Sequence, residues 1–212
     1  MAKTYYVIPA RAGSKGLPGK NRLLLDYTLS QLPQKYYGDL ILTTDDSFIR
    51  DYVSNKFPSI KLHCRSEHSA RDEASTKECL LEVVRDCNLN DDDTMVMLYL
   101  TYPNRSWLDI KGATAWFLTK KASSLLCKEE ATTHPYMCIY DKGDKEEQVV
   151  EHNLYRRQDY PECSFISWMV SIFSVSELDK LNNNLYNENT VYYKIDHSLD
   201  VDTLDDFNKI SF

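Results

Sequence analysis

The sequence predicts an α/β fold: a mainly parallel β-sheet flanked by helices, forming a single domain over 1–212, with a small hairpin protruding at about 130–165. Three observations predict it. Short runs rich in β-branched and aromatic residues alternate with amphipathic runs of helical period from Thr4 to Lys128. The most apolar run, Thr94–Leu100 (TMVMLYL), is uniform enough for a central strand buried on both faces. Beyond Glu129 the rhythm breaks, and two short runs flank the polar stretch DKGDKEE. With 212 residues, the chain can bury a full core without disulfide or metal support.

The elements follow in order. Thr4–Pro9 is a strand that runs into a loop holding Gly13, Gly16 and Gly19. Tyr27–Leu32 is a short helix stopped by Pro33. Asp39–Thr44 is a buried strand bounded by Asp45 and Asp46. Ser47–Lys56 is a helix with Phe48, Ile49, Tyr52 and Val53 on one face and Ser47 or Asp46 at its N-cap. Ile60–Cys64 is the third strand. The helix Ala74–Cys87 has apolar residues at 79, 80, 83, 84 and 87. After the central strand come the helix Trp107–Lys120 and the strand Ser123–Lys128, joined by right-handed crossovers. Pro135–Tyr140 and Gln148–His152 form the protruding hairpin around Gly143. Phe165–Val175 returns to the sheet, Ser176–Leu181 is a helix and Val191–Ile195 the last strand. A final helix starts near Thr203 with Asp202 as its N-cap.

Composition excludes several function classes. There are 32 Asp and Glu against 25 Lys and Arg, a formal charge of -7, which argues against nucleic acid or an anionic membrane as the main partner. MAKTYYVIPA lacks the apolar centre of a signal peptide, and no apolar run approaches the ~20 residues of a membrane span. The expected location is cytoplasmic. The six cysteines contain no C-x-x-C and read as reduced thiols, and the five histidines show no zinc spacing.

Against this acidic background, residues 1–25 hold five cations and no acid. Four of them, Arg11, Lys15, Lys20 and Arg22, sit in or beside the glycine loop. Glycines let successive backbone N–H groups turn toward one point, and that geometry suits an anion. The loop reads as a polyphosphate cradle, although G-x-x-G-x-x-G matches neither the dinucleotide fingerprint nor the P-loop. In open α/β sheets ligands sit beyond the carboxyl ends of the strands. There the sequence places the glycine loop, TTDD (43–46), Arg65, the run Thr101–Arg105, and HSLDVD (197–202). Asp200 and Asp202 flank Val201, so an extended backbone points both carboxylates one way, a hard-oxygen pair suited to Mg²⁺. The competing reading has Asp202 capping the final helix and Asp200 solvated. Asp45 and Asp46 are further metal candidates, though a helix N-cap accounts for at least one of them.

These segments, IPARAGSKGLPGKN (8–21), ILTTDDSFI (41–49), Arg65 with Asp72 and Ala74-Ser75-Thr76, YLTYPNR (99–105), HPY (134–136), RRQDYP (156–161) and SLDVDTLDDF (198–207), occur in the order found in the CMP-N-acylneuraminate cytidylyltransferases, which the chain resembles. Kdo cytidylyltransferases, with Ala-Ser-Thr-Arg in the loop, fit less well. The resemblance implies a Rossmann-like sheet of the nucleotide-diphosphosugar transferase type. It implies that CTP and an acidic 2-keto sugar give a CMP-sugar and pyrophosphate, with Mg²⁺ as cofactor. Within the loop, Arg11, Ser14 and Lys15 would hold the triphosphate, and Ala10 and Gly13 would also contact CTP. Lys20, Asn21, Arg65 and Thr76 would contact the cytidine or its phosphates. Arg11, Lys15, Asp200 and Asp202 would be the catalytic groups, with the two aspartates on the metal. Tyr99, Thr101 and Tyr102 would face the sugar, and Arg156 or Arg157 its carboxylate. The family dimerises through a protruding segment, here about 130–165, so a homodimer is implied.

The departures from the family cluster. Tyr99 stands for Gln, Tyr102 for Ser, and Ser167-Trp168 for Asn-Gly, all in the sugar half. The expectation is therefore CTP with an unusual sialic acid-like nonulosonate or another small acidic sugar. The alternatives are a nucleotidyltransferase of the same fold with a different acceptor, and a noncatalytic nucleotide-binding derivative.

Overall fold

Nine strands and five α-helices make up the computed structural model, which describes residues 2–210. The strands are β1 (Thr4–Pro9), β2 (Leu40–Thr44), β3 (Lys61–Cys64), β4 (Thr94–Met97), β5 (Ser124–Glu130), β6 (Ile139–Asp141), β7 (Glu146–Gln148), β8 (Ser164–Ser174) and β9 (Val191–Lys194). Seven form one sheet in the order β3-β2-β1-β4-β8-β5-β9, while β6 and β7 pair separately as the hairpin. Every pairing in the large sheet is parallel except those of β8, which runs antiparallel to both β4 and β5.

Side-chain alternation splits the core into two layers. Tyr6, Ile8, Leu40, Leu42 and Val96 join one cluster with Leu24, Leu29 and Ile49. Val7, Ile41, Met95 and Met97 face the other way, onto Leu80, Val83 and Phe173. Burial on both faces explains why the central strands read as unbroken apolar runs.

The helices are α1 (Lys20–Gln31), α2 (Ser47–Lys56), α3 (Thr76–Cys87), α4 (Trp107–Thr119) and α5 (Leu204–Phe207). Helix α1 begins at Lys20, seven residues before the expected start, so Lys20 and Asn21 belong to a helical first turn. Its N-cap is Gly19 at φ 70, with no side-chain cap. Capping boxes open α3 (Ser75 with Glu78) and α4 (Ser106 with Asp109). The helix expected over Ser176–Leu181 is a 3₁₀ turn over Val175–Lys180. Strand β4 ends at Met97, although Leu98 N–H still donates to Val7 O at 2.9 Å. No helix among the described residues is long and apolar enough to cross a membrane.

One buried side chain fixes the loop after β4. Arg105, 2% exposed, donates from Nε to Gln31 Oε1 at 2.9 Å and from Nη1 to Met169 O at 2.6 Å. Gln31 in turn donates to the carbonyls of Tyr102 and Pro103 at 3.0 and 2.9 Å. Burial lowers the Arg105 pKa to about 9, so the guanidinium stays charged at neutral pH; neutral oxygens take its Nε and Nη1, while Nη2 is buried without a partner. This network ties 102–105 to α1 and β8.

Candidate active site

The glycine loop follows β1 and closes on α1. Ala10, fully buried, continues the strand pairing by donating its N–H to Thr43 O at 2.9 Å. Asn21 Nδ2 reaches back to Arg11 O at 2.7 Å and fixes the loop's first residue over the helix start. Asp45 accepts the Ala12 N–H at 2.7 Å. Asp46 caps α2 through the Phe48 N–H at 2.9 Å and holds Arg22 through two contacts at 2.7 and 3.0 Å. Both carboxylates are thus engaged in holding the loop and α2.

The opposite wall is the segment after β9. Val201 is fully buried, and its N–H donates to Thr101 O at 2.8 Å, which places Asp200 and Asp202 on either side of it. Asp202 does not cap the last helix. Thr203 does, with Asp206 N–H donating to Thr203 Oγ1 at 3.2 Å and Thr203 N–H to Asp206 Oδ2 at 3.1 Å. Asp202 instead accepts from Lys20 Nζ at 2.6 Å. Gly16 packs so closely on this segment that a Cβ there would lie 2.4 Å from the Asp202 carbonyl oxygen. The cationic loop and the aspartates therefore share one cleft.

That cleft has a volume of about 500 Å³. Arg11, Gly13, Ser14, Lys15, Lys20, Asn21, Arg65, Thr76, Tyr99, Thr101 and Asp202 line it, together with Asp72, which was not among the predicted site residues. A cavity of about 260 Å³ shares Tyr99, Thr101 and Asp202 with it and adds Tyr102, Trp168 and Asp200. Arg156 and Arg157 lie apart from both. Arg156 is bound to Asp159 at 2.8 and 2.9 Å, and Arg157 lines a separate cavity of about 400 Å³ with Lys128, His134, Tyr160 and Lys194.

The charges are arranged for an anion. Asp72 bridges Lys15 and Arg11, each at 2.7 Å; the Lys15 ammonium, aided by Arg11, holds the Asp72 carboxyl below its usual range. Asp72 thus occupies both cations of the loop. Arg65 Nη2 donates to Ser69 O, while its Nε is buried without a partner. Asp200 keeps more than a third of its surface open to solvent, yet the surrounding cleft removes enough water to raise its pKa, and the Asp202 carboxylate raises it further. The Tyr102 hydroxyl, whose own pKa burial pushes up, donates to Asp200 Oδ2 at 3.1 Å. Tyr99 donates to Thr76 Oγ1 at 2.8 Å, and burial likewise keeps it a neutral phenol. Among the described residues no cluster of three or more His, Cys, Asp or Glu could hold a metal by protein ligands alone. Two carboxylates suit a cation that takes its other oxygens from phosphate and water.

A mainly parallel sheet with a cationic glycine loop after its first strand and an aspartate pair across the cleft defines an α/β protein with a charged cleft at the carboxyl ends of its strands. A family model described as cytidylyltransferase matches residues 5–166, and the chain belongs to that family. It is 28% identical over 218 residues to N-acylneuraminate cytidylyltransferase of Streptococcus agalactiae, covering 97% of this chain and 52% of that protein. The chain thus spans about half the length of the streptococcal relatives it matches. It is also 28% identical over 229 residues to CMP-N,N'-diacetyllegionaminic acid synthase of Campylobacter jejuni, covering 100% of this chain and 95% of that protein. Among solved structures, a CMP:2-keto-3-deoxy-manno-octonic acid synthetase complexed with CTP shares the fold, with a TM-score of 0.70 at 14% identity over 98% of this chain and 96% of that one. The resemblance carried by the motifs agrees with these findings.

Proposed function

We propose that the chain transfers CMP from CTP to the anomeric hydroxyl of an acidic sugar of the nonulosonate class and releases pyrophosphate. The observation that carries this reading is the 2.6 Å contact between Lys20 and Asp202, residues 182 apart in sequence, which joins the cation loop to the carboxylate pair.

In this reading Arg11, Ser14 and Lys15 hold the triphosphate, and Lys20, Asn21, Arg65 and Thr76 hold the rest of the nucleotide. As the sugar hydroxyl attacks the α-phosphorus, charge builds on the nonbridging oxygens and on the departing pyrophosphate. Arg11, Lys15 and the loop N–H groups stabilise it once the triphosphate has displaced Asp72 from the two cations. Asp200 and Asp202 fit Mg²⁺: their oxygens are hard donors, and burial together with the neighbouring Asp202 carboxylate disfavours charge on Asp200 in the absence of a cation. The ion supplies Lewis-acid stabilisation at the phosphate when bound. The smaller cavity, walled by Tyr99, Tyr102 and Trp168, takes the acceptor.

Calorimetry with CTP, ATP, GTP and UTP in Mg²⁺ tests the nucleotide half; CTP is expected to bind tightest, and equal affinity for all four overturns it. In the same titration Asp72→Asn is expected to tighten CTP binding, because the triphosphate no longer displaces a carboxylate from Arg11 and Lys15. Pyrophosphate release with nonulosonates, against release with alcohol phosphates, tests the acceptor, and CTP binding with no release from any acceptor favours the noncatalytic reading.

The arm between β5 and β8 exposes Ile139, Tyr140, Leu154 and Tyr155, and Phe165 at the start of β8 is exposed beside it. An apolar group of this kind supports a homodimer formed through about 130–165. Light scattering is expected to give twice the mass of one chain, and a monomer at micromolar concentration removes the proposal.

A further inference from the structure

Asp200 and Asp202 lie on a segment without regular secondary structure, so something else must fix their direction. Four backbone N–H groups do so in turn. Ser198 donates to Glu129 Oε2 at 3.1 Å, Leu199 to Asn104 Oδ1 at 3.1 Å, Val201 to Thr101 O at 2.8 Å, and Asp202 to Asp206 Oδ2 at 3.3 Å.

Glu129 is the unusual acceptor. It sits near the end of β5, is 5% exposed, and has no Lys or Arg within ion-pair distance among the described residues. The exposed ring of His197 stands 3.7 Å from Oε2. Both carboxylate oxygens serve one residue: Oε2 takes the Ser198 N–H, and Oε1 takes the Ser198 hydroxyl. The same hydroxyl oxygen lies 3.2 Å from Ser167 Oγ on β8. A carboxylate this buried is unfavourable unless its hydrogen bonds are complete. Here they are completed by the residue two positions before Asp200.

We infer that Glu129 is a positioning residue for the Asp200–Asp202 pair, gripping Ser198 by backbone and side chain at the end of β5 and so setting the direction in which the two aspartates enter the cleft. The inference rests on reading that pair as the Mg²⁺ site. No Glu129 atom needs to touch substrate or metal.

The test is Mn²⁺ uptake in the presence of CTP, followed by loss of the free-ion EPR signal. Glu129→Gln keeps an oxygen for one Ser198 donor but turns an amide N–H₂ toward the other. Mn²⁺ affinity is expected to fall about 10–100-fold, as when a group orienting a metal ligand is removed. CTP affinity without metal should stay at the wild-type value, a split that a merely structural role does not produce. Ser198→Ala removes only the hydroxyl and should give a smaller loss. The double variant should be no worse than Glu129→Gln, because both changes break one link. Should Glu129→Gln fail to fold, Ser198→Ala decides alone. Wild-type Mn²⁺ affinity in the folded variants overturns the inference. No Mn²⁺ uptake by the wild type with CTP overturns the metal-site reading itself.

Discussion

Asp200→Asn is expected to lower turnover on the order of 10²- to 10³-fold, the scale of losing a fixed charge that stabilises a transferring phosphate. The substitution is close to isosteric, and the amide oxygen can still accept the Tyr102 hydroxyl that stands 3.1 Å from Asp200. Folding should not suffer. Burial and the Asp202 charge both disfavour ionised Asp200, so the metal-free variant should melt no lower than wild type. Steady-state pyrophosphate release, with thermal melts of the metal-free protein, measures both. Turnover within a few-fold of wild type would remove Asp200 from the mechanism.

Gly16→Ala should be nearly as damaging for a different reason. The added Cβ would meet the Asp202 carbonyl oxygen at 2.4 Å and its carbon at 3.5 Å. Neither is the movable end of a side chain. Either the loop or the aspartate segment must retreat, and crowding of this kind typically costs about 1–3 kcal/mol. The retreat separates the cations from the carboxylates, so CTP affinity and turnover should fall together. Gly13→Ala is the control. Gly13 has φ +74 and open space around its Cβ position, so the change carries only the left-handed backbone penalty of roughly 1–2 kcal/mol. Denaturant melts should show both variants weakened, but only Gly16→Ala should lose CTP affinity beyond its loss of folded protein. Wild-type kinetics in Gly16→Ala would mean that the loop and the aspartates are not coupled.

The order of strands and helices up to Lys128 was legible because each element carries its own period. Strand β8 was legible as a strand but not in direction, since a run buried on both faces looks the same when reversed. The start of α1 was hidden for a physical reason. Gly19 supplies the entry without a side-chain cap, and the first turn, Lys20-Asn21-Arg22, carries no acid and no apolar period. The last helix was expected to be capped by Asp202; the reciprocal pair of Thr203 and Asp206 caps it instead. The same fact frees Asp202 for Lys20.

In the site, the glycine loop and the Asp-Val-Asp alternation could be read because composition and spacing state their chemistry. Asp72 could not. Nothing local tells which of many acids folds back onto Arg11 and Lys15, although its place beyond Arg65 in a matched motif was a usable hint. The Glu129 grip on Ser198 was invisible for the same reason, being a contact across 69 residues.

The separation of Lys20 from Asp202 has a consequence during synthesis. At about 5–20 residues per second, the 182 positions that separate them take roughly 10–40 s to be synthesised. For that interval the nascent chain displays a cationic hook beside a particle made largely of phosphate backbone. Asp72 is translated long before Asp202, and it can muzzle Arg11 and Lys15 while the far carboxylate is still unmade.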